Sequence, residues 1–221
     1  MKVLVLLCSH EMNSRWAENI IILNNYFQEQ KIHVDYCGIS NQNDFHHYEQ
    51  IISFAYKVIN PKFQLSKVCD FFAEHKIKLN STYTWFVKIR PDVKLLEPIP
   101  FEACSESAVN ARARSYYGPL QIKFGMSVNG VGRFKDIGDC SIEDTEHDVI
   151  LDDMFFVLHH SIIERTEFGS ADQFTYLDGN TLKQCEHIHC EYWAKQNIPL
   201  NVIGIHVENT KYNVFSGNLN C

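Results

Sequence analysis

The chain has 221 residues, 45% of them hydrophobic and 13% aromatic, enough for one sizeable core and too few for two comfortable ones. Lys plus Arg (20) against Asp plus Glu (27) gives a net charge of -7, which argues against nucleic acid as a partner, because phosphate-backbone binding draws on clustered positive charge. An ordinary apolar fraction without a low-complexity tract excludes a disordered chain.

The first element is the unbroken apolar run Val3 to Cys8, the pattern of a strand buried on both faces. It imitates a signal peptide, but it is shorter than the roughly 7–15 residues of an h-region, and polar Ser9-His10-Glu11 follows without a cleavage site. Neither this run nor Ile20 to Leu23 approaches the ~20 apolar residues of a spanning helix, so no membrane span is expected. The expected compartment is the cytoplasm.

Asn13 or Ser14 caps a helix in which Trp16, Ile20, Leu23 and Phe27 recur at helical spacing. Ile32, Val34 and Tyr36 then alternate as a strand that Gly38 ends. Strand, helix and strand this close together predict a right-handed crossover in a parallel sheet. A second helix is expected along Tyr48, Ile51, Ile52, Ala55 and Val58. A third, with Asn60 as cap and Pro61 at its first position, buries Phe63, Cys69 and Phe72. Thr82 to Ile89 reads as a central strand that stops at Arg90-Pro91-Asp92.

Beyond it the pattern changes. Ala108 to Arg114 and Ile122 to Phe134 read as antiparallel strands with turns at Gly118-Pro119 and Asn129-Gly130. Asp136 to Asp148 reads as a solvated acidic loop, and Val149 to Leu151 leads through Asp152-Asp153 into the aromatic run Met154-Phe155-Phe156. Leu182, Cys185, His189 and Tyr192 form a helical stripe capped by Asn180. Leu200 to Val207 is a closing strand, followed by a polar tail. Without a repeat or a linker, the expectation is one α/β domain.

The eight cysteines are scattered and the domain builds its own core, so they read as reduced packing residues. On a helix, Cys185 and His189 share one face while His187 and Cys190 share another, which disfavours one tetrahedral zinc ion. Arg112 and Arg114 share one strand face, a solvent-exposed one or a phosphate-neutralising one. The glycines at 125, 130 and 132 do not form a dinucleotide fingerprint.

The most informative segment is Trp85 to Lys94. In open α/β sheets ligands bind beyond the carboxyl ends of strands, where this segment places Lys88, Arg90 and Asp92. Pro91 fixes the backbone and disfavours helix at Arg90. A carboxylate at Asp92 is a hard ligand for Mg²⁺ or Mn²⁺, and Arg90 can take a phosphate bidentately. A plain Arg-Asp ion pair at a strand end accounts for the same residues. Asp152-Asp153 offers a general base for a hydroxyl, or else a helix cap.

A hydrophobic strand running into Arg90-Pro91-Asp92 resembles the metal-site strand of GT-A glycosyltransferases with a degenerate Asp-x-Asp element. The polar loop at Ser9-His10, Arg15 at a helix start, the acidic-aromatic segment Leu151 to Phe156 and the stretch from Cys185 to Ile205 are similar to the same family. Within it, the chain resembles the small sugar transferases of large algal viruses, a resemblance that implies the host cytoplasm as its compartment.

The resemblance implies a GT-A-like α/β fold, mostly parallel, flanked by helices and carrying an antiparallel extension. It implies a nucleotide-binding half (1–95) and an acceptor- and metal-completing half (96–221). The activity it implies is sugar transfer from a UDP-sugar donor to a glycan acceptor with Mn²⁺ or Mg²⁺. Ser9, His10, Arg15, Lys88 and Arg90 would bind the donor, Asp92 and His206 the metal, and Asp152 or Asp153 would carry the acid-base or sugar-contact role. Asp92-Val93-Lys94 departs from a full Asp-x-Asp, and a nucleotide- or glycan-binding module without turnover is the alternative.

Overall fold

A computed structural model of the chain describes residues 1–9, 12–41, 45–58, 64–117, 133–137, 148–169, 177–178, 181–182, 189, 192–210 and 214–215. The elements are β1 (Lys2–Cys8), α1 (Ala17–Glu29), β2 (His33–Ser40), β3 (Phe54–Lys57), α2 (Gln64–Asn80), β4 (Trp85–Ile89) and β5 (Val93–Leu95). They continue with β6 (Val109–Tyr117), β7 (Arg133–Ile137), β8 (Asp148–His159), α3 (His160–Arg165), β9 (Leu177–Asp178) and β10 (Thr181–Leu182). The last three are β11 (Leu200–Val202), β12 (Val207–Asn209) and β13 (Val214–Phe215).

The main sheet runs β11-β6-β8-β4-β1-β2-β3, with β7 attached to β6. Pairings β4-β1, β1-β2, β2-β3 and β11-β6 are parallel, whereas β8 runs against both β4 and β6. The sheet is therefore mixed and mostly parallel. A separate small antiparallel sheet joins β13, β12 and β5.

Both sheet faces are covered, which is why β1 needs apolar residues at every position from Val3 to Cys8, all of them fully buried. On one face Ile20, Leu23 and Phe27 of α1 pack over Val3, Val5, Leu7 and Val87. On the other, Val68, Cys69 and Phe72 of α2, Ile162 and Ile163 of α3, and Trp193 pack over Leu4, Leu6, Phe86 and Phe156. Helix α1 ends in a Schellman turn, with Ile32 N–H donating to Phe27 and Lys31 N–H to Gln28. Lys31 takes the left-handed conformation there (φ 56) that glycine ordinarily supplies.

Several expected elements differ. The helix expected from Tyr48 to Val58 is absent: His46–Tyr48 forms one 3₁₀ turn and Phe54–Lys57 is a strand. The edge of β2 decides this, because Cys37 to Ser40 pair in parallel with Phe54 to Lys57. Strand β2 also runs through Gly38, which lies between Leu7 of β1 and Ala55 of β3. A side chain at Gly38 would meet the Phe45 ring at 2.5 Å, so the glycine marks a close approach and not a strand end.

The expected closing strand is two short ones in different sheets, β11 beside β6 and β12 beside β5. Leu182 is a strand residue and not the start of a helical stripe, though 192–195 are helical. The acidic stretch is bounded by strand residues, since Asp136 belongs to β7 and Asp148 to β8; the residues between 137 and 148 lie outside the described ones. So do the 59–63 cap region, the turns at 118–119 and 129–130, and Cys185 to Ile188. Arg112 is buried, so the solvent-exposed reading of that strand face does not hold for it; the Arg114 side chain lies outside the described residues. Among the described residues no helix is long and apolar enough to cross a membrane, and Cys8, Cys37, Cys69 and Cys104 are unbridged.

Candidate functional site

The strand order reverses at β1. β2 and β3 extend to one side of it and β4 to the other, with α1 and α2 on opposite faces. Such a switch point opens a crevice beyond the carboxyl ends of the strands. The register brings three segments to that edge. Leu7 pairs with Ile89, so Ser9 and the Arg90-Pro91-Asp92 turn emerge side by side. Ile89 pairs in turn with Phe155, and Arg90 N–H donates to the Met154 carbonyl at 3.1 Å, which places the Asp152-Asp153 backbone next to the same turn.

Strand β8 is irregular at this point. Ala111 opposes Phe156 and Ala113 opposes Leu151, so Arg112 alone faces the segment 152–155. The extra residues form a bulge, a device that ends regular pairing and re-aims side chains beside functional clefts. Arg112 is 4% exposed. It is a buried cation opposite two acidic residues, and alternation in the sequence carried no signal for that depth.

The Arg90–Asp92 turn is held from every side. Val93 N–H closes it on the Arg90 carbonyl at 3.0 Å, with Pro91 at the position that favours its fixed φ. The Asn19 side-chain amide donates to the Pro91 carbonyl and to the Thr210 hydroxyl, both at 2.9 Å. Thr210 donates its backbone N–H (2.8 Å) and its hydroxyl (2.9 Å) to the Asp92 carbonyl. Asn19 and Thr210 escape sequence reading because they reach the turn across 72 and 118 positions.

The Asp92 carboxylate, 3% exposed, accepts from Arg90 Nε at 2.9 Å and Nη2 at 2.5 Å. It is thus a buried, bidentate ion pair, deeper than the surface pair that the residues alone suggest. Tyr48 lies beside it, fully buried, its hydroxyl donating to the Asn13 carbonyl at 2.5 Å. Burial first, and then the Asp92 charge, push the Tyr48 phenol well above its ordinary pKa.

A metal shared by Asp92 and His206 does not fit this arrangement. Val207 opposes Leu95 and Asn209 opposes Val93, so His206 lines up with Leu96 and Thr210 with Asp92. The two expected ligands stand at opposite ends of the β5–β12 ribbon, about 13 Å apart along it at roughly 3.3 Å per residue. Ligands of one hard cation stand within about 2.6 Å of it. His206 is instead 60% exposed and bonded to Glu97, ring Nδ1 to Oε1 at 2.7 Å. Among the described residues no group of three or more His, Cys, Asp or Glu is placed to hold a metal ion.

Of the residues expected to bind a donor, Ser9 is buried, extends the β1–β2 ladder through its N–H to Ile39, and presents its carbonyl to the Lys67 ammonium at 2.8 Å. His10 lies outside the described residues. Arg15 is exposed in the 3₁₀ turn Ser14–Trp16, its guanidinium 5.2 Å from the Trp16 ring centroid. Lys88 is 1% exposed, between Leu6 and Phe156, with its ammonium 5.8 Å from the Phe156 ring centroid. The structure therefore brings Ser9, Lys88, Arg90, Asp92 and the Asp152-Asp153 backbone to one edge, and it sets His206 apart. Lys67 was missed because a lysine in an amphipathic helix ordinarily reads as solvent-facing.

No family model matches the chain, and no curated protein matches it.

Proposed function

We propose that the chain is a GT-A-type glycosyltransferase that moves a sugar from a UDP-linked donor to a hydroxyl of a glycan acceptor. The observation that carries this reading is the convergence, at the switch point of a mostly parallel sheet, of the β1 end, the Arg90–Asp92 turn and the acidic bulge of β8. The meeting of basic residues with an acidic segment at one sheet edge suits a reaction that separates a diphosphate from a sugar.

In that reaction the anomeric C–O bond to the donor phosphate breaks and its electron pair leaves with the diphosphate. A new bond forms from the acceptor oxygen to the anomeric carbon. Lys88 stabilises the charge growing on the leaving group. Asp152 or Asp153 takes the acceptor hydroxyl proton as general base. The Asp92 carboxylate acts through Arg90, fixing the guanidinium at the cleft edge, and no step is routed through Mn²⁺ or Mg²⁺. Ser9 and Arg15 border the nucleoside side of the crevice.

The second reading, a nucleotide- or glycan-binding module without turnover, is favoured by one observation: both Asp92 oxygens are already engaged by Arg90. Incubation with UDP-sugars and candidate glycan acceptors, followed by measurement of released UDP, separates the two. Acceptor-dependent UDP release supports transfer. UDP binding without release supports the module and overturns the enzymatic reading.

A further inference from the structure

The opposite edge of the sheet carries a cavity of its own. Helix α2 starts beside the end of β1, where the Gln64 carbonyl meets the Cys8 thiol at 3.6 Å. It then runs back along the sheet, so Lys76 stands about 18 Å further along it at 1.5 Å per residue. Strand β8 ends in the same place, since His159 opposes Trp85 at the start of β4. At this amino edge a cavity of about 670 Å³ lies between α2, the chain that follows α3, and residues 192–196. That is the size of a small-molecule site.

Contacts between these three segments hold the walls in place. Lys76 donates to the Thr166 carbonyl at 3.1 Å, just past α3. Gln196 accepts the Glu167 N–H at 3.1 Å. The Phe168 ring lies against Phe72 of α2, centroids 4.9 Å apart, and Tyr192 is buried in the same core cluster. Gly169 also lines the cavity, and a Cβ there would meet no atom within 4 Å.

The chemistry of the walls selects an occupant. The Lys76 ammonium carries three donors, of which Thr166 takes one. Among the described residues no carboxylate pairs with it. Lys195 brings a second ammonium to the wall and Glu167 a carboxylate that can only accept. Phe168 and Tyr192 supply aromatic surface. An apolar ligand would strip water from these charges and replace it with nothing, and a polyanion would meet Glu167. A ligand with one anionic group, several hydroxyls and an apolar ring face suits them all. Its anion would go to Lys76, its hydroxyls to Glu167 and Gln196, and its C–H face to an aromatic ring.

We infer that this cavity binds an acidic sugar, a hexuronate either free or as a unit of a glycan. The site lies across the sheet from the Arg90–Asp92 turn and does not depend on the glycosyltransferase reading.

The test is calorimetric titration of the full chain with glucuronate, with glucuronate and galacturonate disaccharides, with their neutral counterparts and with inorganic phosphate. At least one acidic disaccharide should bind about tenfold or more tightly than its neutral counterpart, the worth of one charge-assisted contact. Lys76→Met should abolish that preference, and Lys76→Arg should keep most of it. Gly169→Leu sends a side chain into open space, so it should fold and weaken the acidic sugar at least about tenfold. A gain in affinity from glucuronate to its disaccharide identifies a glycan as the source, and equal affinity identifies a free sugar acid; both support the site.

Absence of binding by every acidic sugar overturns the site, as does affinity unchanged in a folded Gly169→Leu. Equal affinity for acidic and neutral disaccharides, or phosphate binding more tightly than either, overturns the acidic-sugar assignment.

Discussion

Replacing Asp92 by Asn tests whether this carboxylate is a clamp or a metal ligand. The side chain is 3% exposed and both its oxygens accept from Arg90, at 2.9 and 2.5 Å. Asparagine keeps the shape but removes the charge and turns an N–H₂ group toward a guanidinium that can only donate. Removing one partner of a buried ion pair costs about 3–5 kcal/mol. Arg90 is 20% exposed and regains some water, so a loss of about 3 kcal/mol, the lower end, is expected.

Urea unfolding of the native chain, Asp92→Asn, Arg90→Met and the double variant measures it. The expected result is a lowered midpoint with an unchanged m-value for Asp92→Asn. The double variant should cost clearly less than the sum of the singles, because the lone buried carboxylate and the unpaired guanidinium no longer coexist with a missing partner. The opposite outcome refutes the clamp: stability within about 0.5 kcal/mol of the native chain together with loss of a Mn²⁺-dependent UDP affinity. That pattern would make Asp92 a ligand whose pairing with Arg90 is incidental.

Gly38→Ala should destabilise by about 1–3 kcal/mol, because its new Cβ would lie 2.5 Å from Phe45 Cε1 and 2.9 Å from Ile52 Cδ1; a variant as stable as the native chain by urea melting would show that this wall gives way freely. The His159 imidazole is buried against the Trp85 ring (centroids 4.8 Å apart), with His160, Ser161 and Glu106 around it. Burial first, and then His160, hold its pKa below the ordinary 6.5, against the opposing pull of Glu106 and Glu164. The unfolded chain therefore takes this proton first, so the stability is whole above 6.5 and drains as the pH falls from there through the folded-state value. His159→Gln should lessen the fall in urea midpoint between about pH 7.5 and about pH 5, and an unaltered fall would remove His159 from the account.

Local patterning was enough for the elements whose environment is uniform along their length. Val3 to Cys8 is apolar at every position and is buried on both faces; Ile20, Leu23 and Phe27 keep helical spacing and form one packed stripe. The central strand expected from Thr82 to Ile89 is β4, Trp85–Ile89, three residues shorter at its start, and Pro91 marks the point where it turns. The sequence also marked Arg90, Asp92 and Asp152-Asp153 as the polar interruptions of an apolar frame, and the register sets those three positions at one edge. What these residues touch was beyond it. The Tyr48 to Val58 segment carries a helical spacing of apolar residues, yet the open edge of β2 offers Phe54–Lys57 backbone partners that a lone helix cannot match.

His206 and Asp92 looked like a plausible ligand pair as residue types, and the β5–β12 register alone puts them at opposite ends of a ribbon. Arg112, Lys67 and Asn19 give the same lesson from the other side. Each is polar in composition, but its burial depends on whether a bulge, a strand end or a distant turn lies opposite it. Side-chain periodicity is local and needs only the neighbouring residues, so the chain's own order determines it. Which charge faces which is fixed by contacts between residues far apart in sequence, and those exist only once the sheet has closed its register.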